Sequence, residues 1–194
     1  MSNAKQTPTE ITRIFAHMRT QRLFEPADIT PERLKAVYDI IRWAPTAYNS
    51  CPMRVSVVDS DWARETLIPL MNPVNQASVR QAPAVVILSS DEDFPAGMSA
   101  MGAPESLTQT LAGRTELAES ASFMQAAYYI IGLRAAGMNV GPMTGADFAG
   151  IEQEFFAGTS WKPFMVLVIG EEPQAGSERP RLKRLSADAV FNTL

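Results

Sequence analysis

The chain has 194 residues, of which 46% are hydrophobic and 20% charged, and this composition predicts one globular domain over residues 1–194. Its net charge of -4 disfavours a nucleic-acid partner, because phosphate backbones are bound by a concentrated basic face. No run of residues reaches membrane-spanning length and the N-terminus has no apolar signal core, so we expect a cytoplasmic protein with no membrane partner.

The first quarter of the chain predicts two helices. A short amphipathic helix spans Ile11–Met18. Thr30 is a good N-cap and Pro31 fits the first turn of the next helix, whose apolar residues continue to Trp43.

The segment 44–53, Ala-Pro-Thr-Ala-Tyr-Asn-Ser-Cys-Pro-Met, is predicted to be a fixed loop because it contains two prolines. Its Thr46 and Asn49 side chains can form hydrogen bonds, and its backbone amides can face a ligand. An ordinary connector leading into a strand at Val55–Val58 is an equally good interpretation.

The middle of the chain predicts a helix over Asp61–Met71 and a buried strand over Val85–Leu88. The Gly-, Pro- and Met-rich stretch Phe94–Leu107 is predicted to be a mobile loop, and its length favours a lid or substrate loop. The longest periodic segment, Glu116–Ala136, is apolar on more than one face, which indicates a helix in the centre of the molecule or at a subunit contact. Gly137 is its predicted C-cap.

The last part of the chain predicts a second buried strand, Phe164–Ile169, and then a basic tail. The tail carries Arg179, Arg181, Lys183 and Arg184 in an otherwise acidic chain. A solvated tail and an anion-binding segment are both open interpretations.

Cys51 and His17 are the single cysteine and the single histidine. A metal site built on these residue types, or a Cys–His dyad, needs more convergent groups than the chain offers. We therefore expect no metal, a structural thiol at Cys51 and a packed or solvent-facing His17. Redox or transfer chemistry would have to come from a bound cofactor.

Five motifs resemble, in order and spacing, those of the flavin-dependent nitroreductase family. Arg19-Thr20-Gln21-Arg22-Leu23-Phe24 resembles its Arg-Ser-x-Arg-x-Phe phosphate-binding motif. The loop at 44–53 resembles its Ala-Pro-Ser-x-x-Asn-x-Gln-Pro-Trp loop and departs from it at Cys51 and Met53. Asn75 falls where the family places an asparagine on the flavin ring, with Ser78 replacing a common basic residue. The other two matches are Gly141-Pro142-Met143-Thr144-Gly145, which resembles the loop near flavin N5, and the C-terminal pair Arg181 and Arg184.

The resemblance implies an α+β fold with a central, mainly antiparallel sheet and helices on both faces. It also implies an intertwined homodimer with FMN sites at its interface, FMN as cofactor, and NADH or NADPH as electron donor to a small-molecule substrate. The FMN-binding residues that it implies are Arg19, Thr20, Gln21, Arg22, Pro45, Thr46, Ala47, Asn49, Asn75, Pro142, Met143, Thr144, Gly145, Arg181 and Arg184.

The arginines and Thr20 would hold the phosphate, and the asparagines would bind the pyrimidine edge of the ring. The backbone N–H of Gly145 would lie near N5, because a glycine permits a close approach. No side chain is implied as a catalytic acid or base: hydride transfer by alignment on the flavin predicts ping-pong kinetics.

The substrate has several interpretations. The segment Met124-Gln125-Ala126-Ala127-Tyr128 and the tail Arg181–Ser186 look most like the branch of malonic semialdehyde reductase or 3-hydroxypropanoate dehydrogenase. Alternatives are a nitroaromatic or quinone reductase and a catalytically idle flavin-binding protein. A third alternative keeps only the fold, with Arg179–Arg184 binding another phosphate ligand.

Overall fold

The computed structural model describes residues 12, 14–15, 19–177 and 180–194. Most of the predicted helix Ile11–Met18, including His17, lies outside the described residues, as does Arg179 of the tail. Within the described ranges, no helix is both long enough and apolar enough to cross a membrane.

The centre of the molecule is a four-stranded antiparallel sheet in the order β1-β2-β4-β3. This confirms the predicted sheet, and each of the three predicted strands is present with shifted or extended ends. The fourth, β3, lies on an edge and includes Gly141–Met143, which the sequence predicted to be part of a loop. The strands are β1 (Met53–Val57), β2 (Ala84–Asp91), β3 (Asn139–Met143) and β4 (Trp161–Gly170).

Eight α-helices and a 3₁₀ turn at Ala47–Asn49 surround the sheet in the described part of the chain. The predicted cap of the first is confirmed, since the Thr30 hydroxyl accepts a hydrogen bond from the Arg33 N–H at 3.4 Å. The helices are α1 (Pro31–Ile41), α2 (Asp61–Leu70), α3 (Pro73–Gln81), α4 (Phe94–Ala100), α5 (Glu105–Leu111), α6 (Thr115–Ala135), α7 (Phe148–Phe155) and α8 (Ala187–Val190).

Alternation along β2 divides the core into two layers. Val86 and Leu88 face the layer formed with α1 and α6, whereas Val85 and Ile87 face the layer formed with α2, α3 and α7. Because successive side chains of a strand point to opposite faces, a fully apolar strand must be covered on both sides. The prediction of helices on both faces is confirmed.

The segment 94–107 differs from the prediction of a mobile loop, because most of it is helical. Phe94 and Met98, one turn apart on α4, are buried and pack with Leu111 and Ala118 in a small separate core. Most of the glycines and prolines that suggested a loop lie at helix ends instead, although Gly97 lies inside α4. Pro95 occupies the first turn of α4, and Gly102 follows the helix with a φ of +87°.

Helix α6 ends as its sequence predicted. Gly137 has a φ of +87° and donates to the Arg134 carbonyl, while Met138 donates to the Leu133 carbonyl, which is a Schellman termination. One side of the helix is buried in the core, and the other exposes Phe123 and Met124. The prediction of a helix with more than one apolar face is confirmed.

Candidate functional site

The N-terminal and C-terminal basic segments meet at one cavity of about 380 Å³, which we call the arginine cavity. An adjoining cavity of about 400 Å³ shares five of its residues and adds Phe15, Ile130, Arg134 and Val140. The residues of the arginine cavity are Arg19, Thr20, Gln21, Arg22, Pro142, Ser177, Pro180, Arg181, Leu182 and Arg184. Seven of the fifteen residues implied by the resemblance therefore lie together in a single chain.

Strand β3 holds the N-terminal segment in this position. The N–H of Gln21 donates to the Val140 carbonyl at 3.2 Å, and the Gln21 side chain is buried. Gly141 makes this approach possible, because a Cβ there would overlap the Gln21 carbonyl oxygen and lie 2.7 Å from a Val168 methyl group. The absence of a side chain at Gly141 therefore allows two protein segments, the N-terminal segment and β3, to pack together.

The arginine cavity concentrates positive charge in an acidic protein. Arg19, Arg22 and Arg184 form no ion pair within the described ranges. The Arg181 guanidinium donates to the Phe15 carbonyl at 3.0 Å. The guanidinium groups of Arg19, Arg22 and Arg184, which have no carboxylate partner in the described ranges, suit an anion that accepts several hydrogen bonds, such as a phosphate.

Asn75 and Gly145 meet beyond the end of β3. The Asn75 side chain is buried, and its Nδ2 donates to the Gly145 carbonyl at 3.2 Å. Its Oδ1 is buried without a hydrogen-bond partner in the described structure. A buried unpaired acceptor costs about 1–3 kcal/mol, so this atom indicates a donor group that a ligand could supply.

Gly145 also faces its own protein neighbours. A Cβ at this position would lie 2.6 Å from Asn72 Nδ2 and 3.3 Å from Asn75 Nδ2. The two asparagine side chains therefore occupy the space that a Cβ at Gly145 would need, a protein contact that the sequence did not predict. No acceptor for the Gly145 N–H is found among the described residues.

The other two residues of this motif differ in exposure. Thr144 is exposed, whereas the Met143 side chain lies in the core with Val166 and Val168. Met143 can therefore contact a ligand only through its backbone atoms.

The loop at 44–53 has an unusual backbone. Tyr48, Asn49 and Cys51 have φ values of 58°, 54° and 44°, in the left-handed region that non-glycine residues rarely adopt. The loop is held from outside as well, because the Tyr128 hydroxyl donates to the Pro45 carbonyl at 3.2 Å. Strained backbone of this kind persists where the surroundings fix it, often beside a ligand.

The polar groups of this loop are partly used within it. The Thr46 hydroxyl accepts a hydrogen bond from the Cys51 N–H at 3.3 Å, while Asn49 is exposed. Pro45, Thr46, Ala47 and Asn49 do not line the arginine cavity of their own chain. The structure therefore does not bring this motif together with the arginines within the single chain.

Sequence reasoning missed three residues that support the site. Asn72 stands beside Gly145, Gln125 accepts a hydrogen bond from the Met53 N–H at 2.9 Å, and Arg134 lies against Arg19. The available signals were weak: a polar residue before a helix, a glutamine inside an apolar helix, and a lone arginine near the end of α6.

Residues 16–171 match the family model described as the nitroreductase family. The chain belongs to the nitroreductase family. A relative from Streptomyces coelicolor, named putative NADH dehydrogenase/NAD(P)H nitroreductase, is 36% identical over 93% of this chain and 94% of its own length. A relative of the same name from Leptothrix cholodnii is 34% identical over 95% of each chain.

Solved structures agree with the nitroreductase fold. A nitroreductase family protein from Streptococcus pneumoniae superposes with a TM-score of 0.79 at 17% identity, covering 95% of this chain and 98% of that one. A protein from Exiguobacterium sibiricum, described as a putative nitroreductase in complex with FMN, has a TM-score of 0.76 at 21% identity and covers 97% and 99%. These relatives do not confirm the malonic semialdehyde reductase branch within the nitroreductase family.

Proposed function

We propose that this protein is an FMN-dependent NAD(P)H oxidoreductase that reduces a small oxidised substrate. The observation that carries the proposal is the arginine cavity, where two basic segments from opposite ends of an acidic chain converge. The Exiguobacterium protein, described as an FMN complex, and the curated relatives, named for NAD(P)H, support the same cofactor and donor.

The residues present fit both ends of FMN, the phosphate group and the flavin ring. Arg19, Arg22, Arg181 and Arg184 offer charge-assisted hydrogen bonds to a dianionic phosphate, and Thr20 adds a hydroxyl. At the other end, the unpaired Oδ1 of Asn75 is an acceptor suited to the N3–H of a flavin ring. Bound FMN would supply hydride transfer between a nicotinamide and the acceptor.

The protein's own part in the reaction is to bind and align. The Gly145 N–H is the donor that we assign to the N5 side of the ring, and the carbonyl of the same residue is already occupied by Asn72 and Asn75. No acid or base side chain is assigned, because alignment of donor and acceptor on one face provides the rate enhancement. Ping-pong kinetics are the expected result, since donor and acceptor use the same pocket in turn.

We further propose that the site is completed in a homodimer. Pro45, Thr46, Ala47 and Asn49 lie away from the arginine cavity of their own chain, so they would serve the cavity of the partner. The surface near this loop is apolar: Ile40 and Trp43 are 75% and 80% exposed, beside a groove between α1 and α6 of about 460 Å³. Apolar surface of this kind is typical of interfaces between permanent subunits.

Sedimentation at micromolar concentration tests the assembly. The dimer predicts a species of about twice the 21.2 kDa chain mass. A Trp43→Arg, Ile40→Glu double variant should weaken it, because it places charges in the proposed interface. A parent protein that sediments only as a 21.2 kDa monomer would contradict the proposal.

The acceptor is tested by reoxidation of the reduced protein. We propose malonic semialdehyde as the first candidate on the branch resemblance, with nitroaromatics and quinones as the second class. Anaerobically reduced holoprotein is mixed with each compound in a stopped-flow instrument. Malonic semialdehyde should reoxidise it fastest; faster reaction with nitroaromatics or quinones would assign the second class, and no reoxidation by any of them would remove the proposed activity.

A further inference from the structure

Arg134 connects α6 with the N-terminal segment at Arg19 and with β3, although no motif includes it. It lies in the last turn of α6, and its Nη2 donates to the carbonyls of Arg19 and of Val140, the latter at 3.2 Å. Its Nη1 donates to Asn139 Oδ1 at 2.7 Å. The Val140 carbonyl also accepts the Gln21 N–H, so the side chain of Arg134 and the backbone of Gln21 share one acceptor.

Burial of the Arg134 guanidinium lowers the stability of the fold unless its hydrogen bonds compensate. Burial lowers the pKa of Arg134, and its Nε is buried without a partner in the described part of the chain. A partly desolvated cation with an unused donor destabilises the fold unless its other hydrogen bonds compensate. Those bonds go to the backbone of the phosphate-binding segment and to β3, and not to a carboxylate.

We infer that Arg134 is a positioning residue for the FMN phosphate. It holds the backbone of Arg19 against β3, so that the Arg19 and Arg22 side chains are preorganised on the arginine cavity before the cofactor arrives. The planar guanidinium directs Nη2 to the two carbonyls and Nη1 to Asn139 Oδ1 in one fixed geometry, whereas a lysine offers a single ammonium group without that geometry. Preorganisation increases affinity because less conformational entropy is lost when the ligand binds.

The inference rests on the proposed FMN binding, and a comparison of two flavins tests it. Riboflavin lacks the phosphate, so a residue that acts through the phosphate-binding segment should matter for FMN alone. Arg134→Met should weaken FMN binding by about tenfold or more, the equivalent of one lost hydrogen bond to a charged group, and leave riboflavin binding within about twofold. The FMN affinity of Arg134→Lys should lie between those of the parent and of Arg134→Met.

Arg64 supplies a matched control. It is also a partly buried arginine whose pKa is lowered by burial, and its Nη1 donates to the carbonyls of Val79 at 2.7 Å and Ala82 at 2.9 Å. It does not line the arginine cavity. Arg64→Met should lower thermal stability while the ratio of FMN affinity to riboflavin affinity stays at the parent value.

A second readout does not need the cofactor. Hydrogen exchange of the Gln21 amide in flavin-free protein should accelerate in Arg134→Lys, because Arg134 no longer holds the N-terminal segment against β3, whose Val140 carbonyl accepts the Gln21 N–H. The role of Arg134 would be overturned if its variants leave the ratio of FMN affinity to riboflavin affinity at the parent value. Unchanged exchange of the Gln21 amide would also overturn it. If Arg134→Met does not fold, Arg134→Lys decides by the same measurements. If the parent protein binds FMN no more tightly than riboflavin, FMN is not the cofactor that the arginine cavity selects, and the proposed cofactor is wrong.

Discussion

A single methyl group added at Gly141 should separate the proposed phosphate-binding segment, residues 19–22, from the sheet. The new Cβ of Gly141→Ala would overlap the Gln21 carbonyl oxygen, a backbone atom that cannot rotate away, and would lie 2.7 Å from Val168. We expect loss of the Gln21–Val140 hydrogen bond, about 0.5–1.5 kcal/mol, and an overpacking cost of about 1–3 kcal/mol. The free energy of unfolding should therefore fall by about 1.5–4.5 kcal/mol.

FMN affinity reports the functional part of this perturbation. If the displaced segment loses one charge-assisted hydrogen bond to the phosphate, affinity falls by about 1.5–3 kcal/mol, or about 10- to 150-fold. Urea unfolding of the flavin-free protein measures the first effect, and quenching of FMN fluorescence measures the second. Gly97→Ala, in helix α4, is the control, because its Cβ would make only an ordinary 3.5 Å contact with the Arg54 side chain. A folded Gly141→Ala protein that binds FMN as tightly as the parent would refute the reasoning.

Three further predictions concern the phosphate, the N5 side and the core. Arg181→Ala should weaken FMN binding by about 1.5–3 kcal/mol in a fluorescence titration, and an unchanged affinity would remove Arg181 from the site. Gly145→Val would place side-chain atoms against Asn72 Nδ2, so stopped-flow reduction by NAD(P)H should slow more than folding stability drops; reduction at the parent rate would disprove the assignment of this loop. Burial raises the pKa of Tyr129, whose unfolded phenol ionises near pH 10, so stability present below pH 10 is lost as the pH rises above it. Tyr129→Phe should lose less stability than the parent between about pH 8 and about pH 11 in urea unfolding, and equal losses would show that Tyr129 is not the group responsible.

Local chemistry was sufficient to predict the main elements. The apolar, mainly β-branched run at 85–88 contributes to both core layers. Thr30 caps α1 through its hydroxyl group, and Gly137 ends α6 because glycine tolerates a positive φ. These elements could be read from the sequence because hydrophobic periodicity and capping depend on neighbours a few residues away.

Strand β3 could not be read in the same way. The family resemblance predicted a loop at Gly141–Gly145, and glycine and proline are both disfavoured inside a sheet. In the structure β3 is an edge strand, where a proline without an N–H is tolerated, and the glycine is needed for contact with Gln21. Both reasons are tertiary, and neither can be inferred from residues close in sequence.

The site shows the same division. Arg19, Arg22, Arg181 and Arg184 were predictable because they form two basic clusters in an otherwise acidic chain and match the phosphate-binding motifs of the family. Arg134 was not, because its partner Arg19 is 115 residues away and is contacted through a backbone carbonyl. The position of loop 44–53 away from the arginine cavity also depends on packing that the sequence does not encode locally.

Anaerobic reduction of the FMN-reconstituted protein is the most direct test of the proposed function. The protein should bind FMN, become yellow, and lose that colour when NADH or NADPH is added without oxygen, before any acceptor is supplied. A protein that binds FMN but is not bleached by either nucleotide would be a catalytically idle flavin-binding protein. A protein that stays colourless after incubation with FMN would contradict the account altogether.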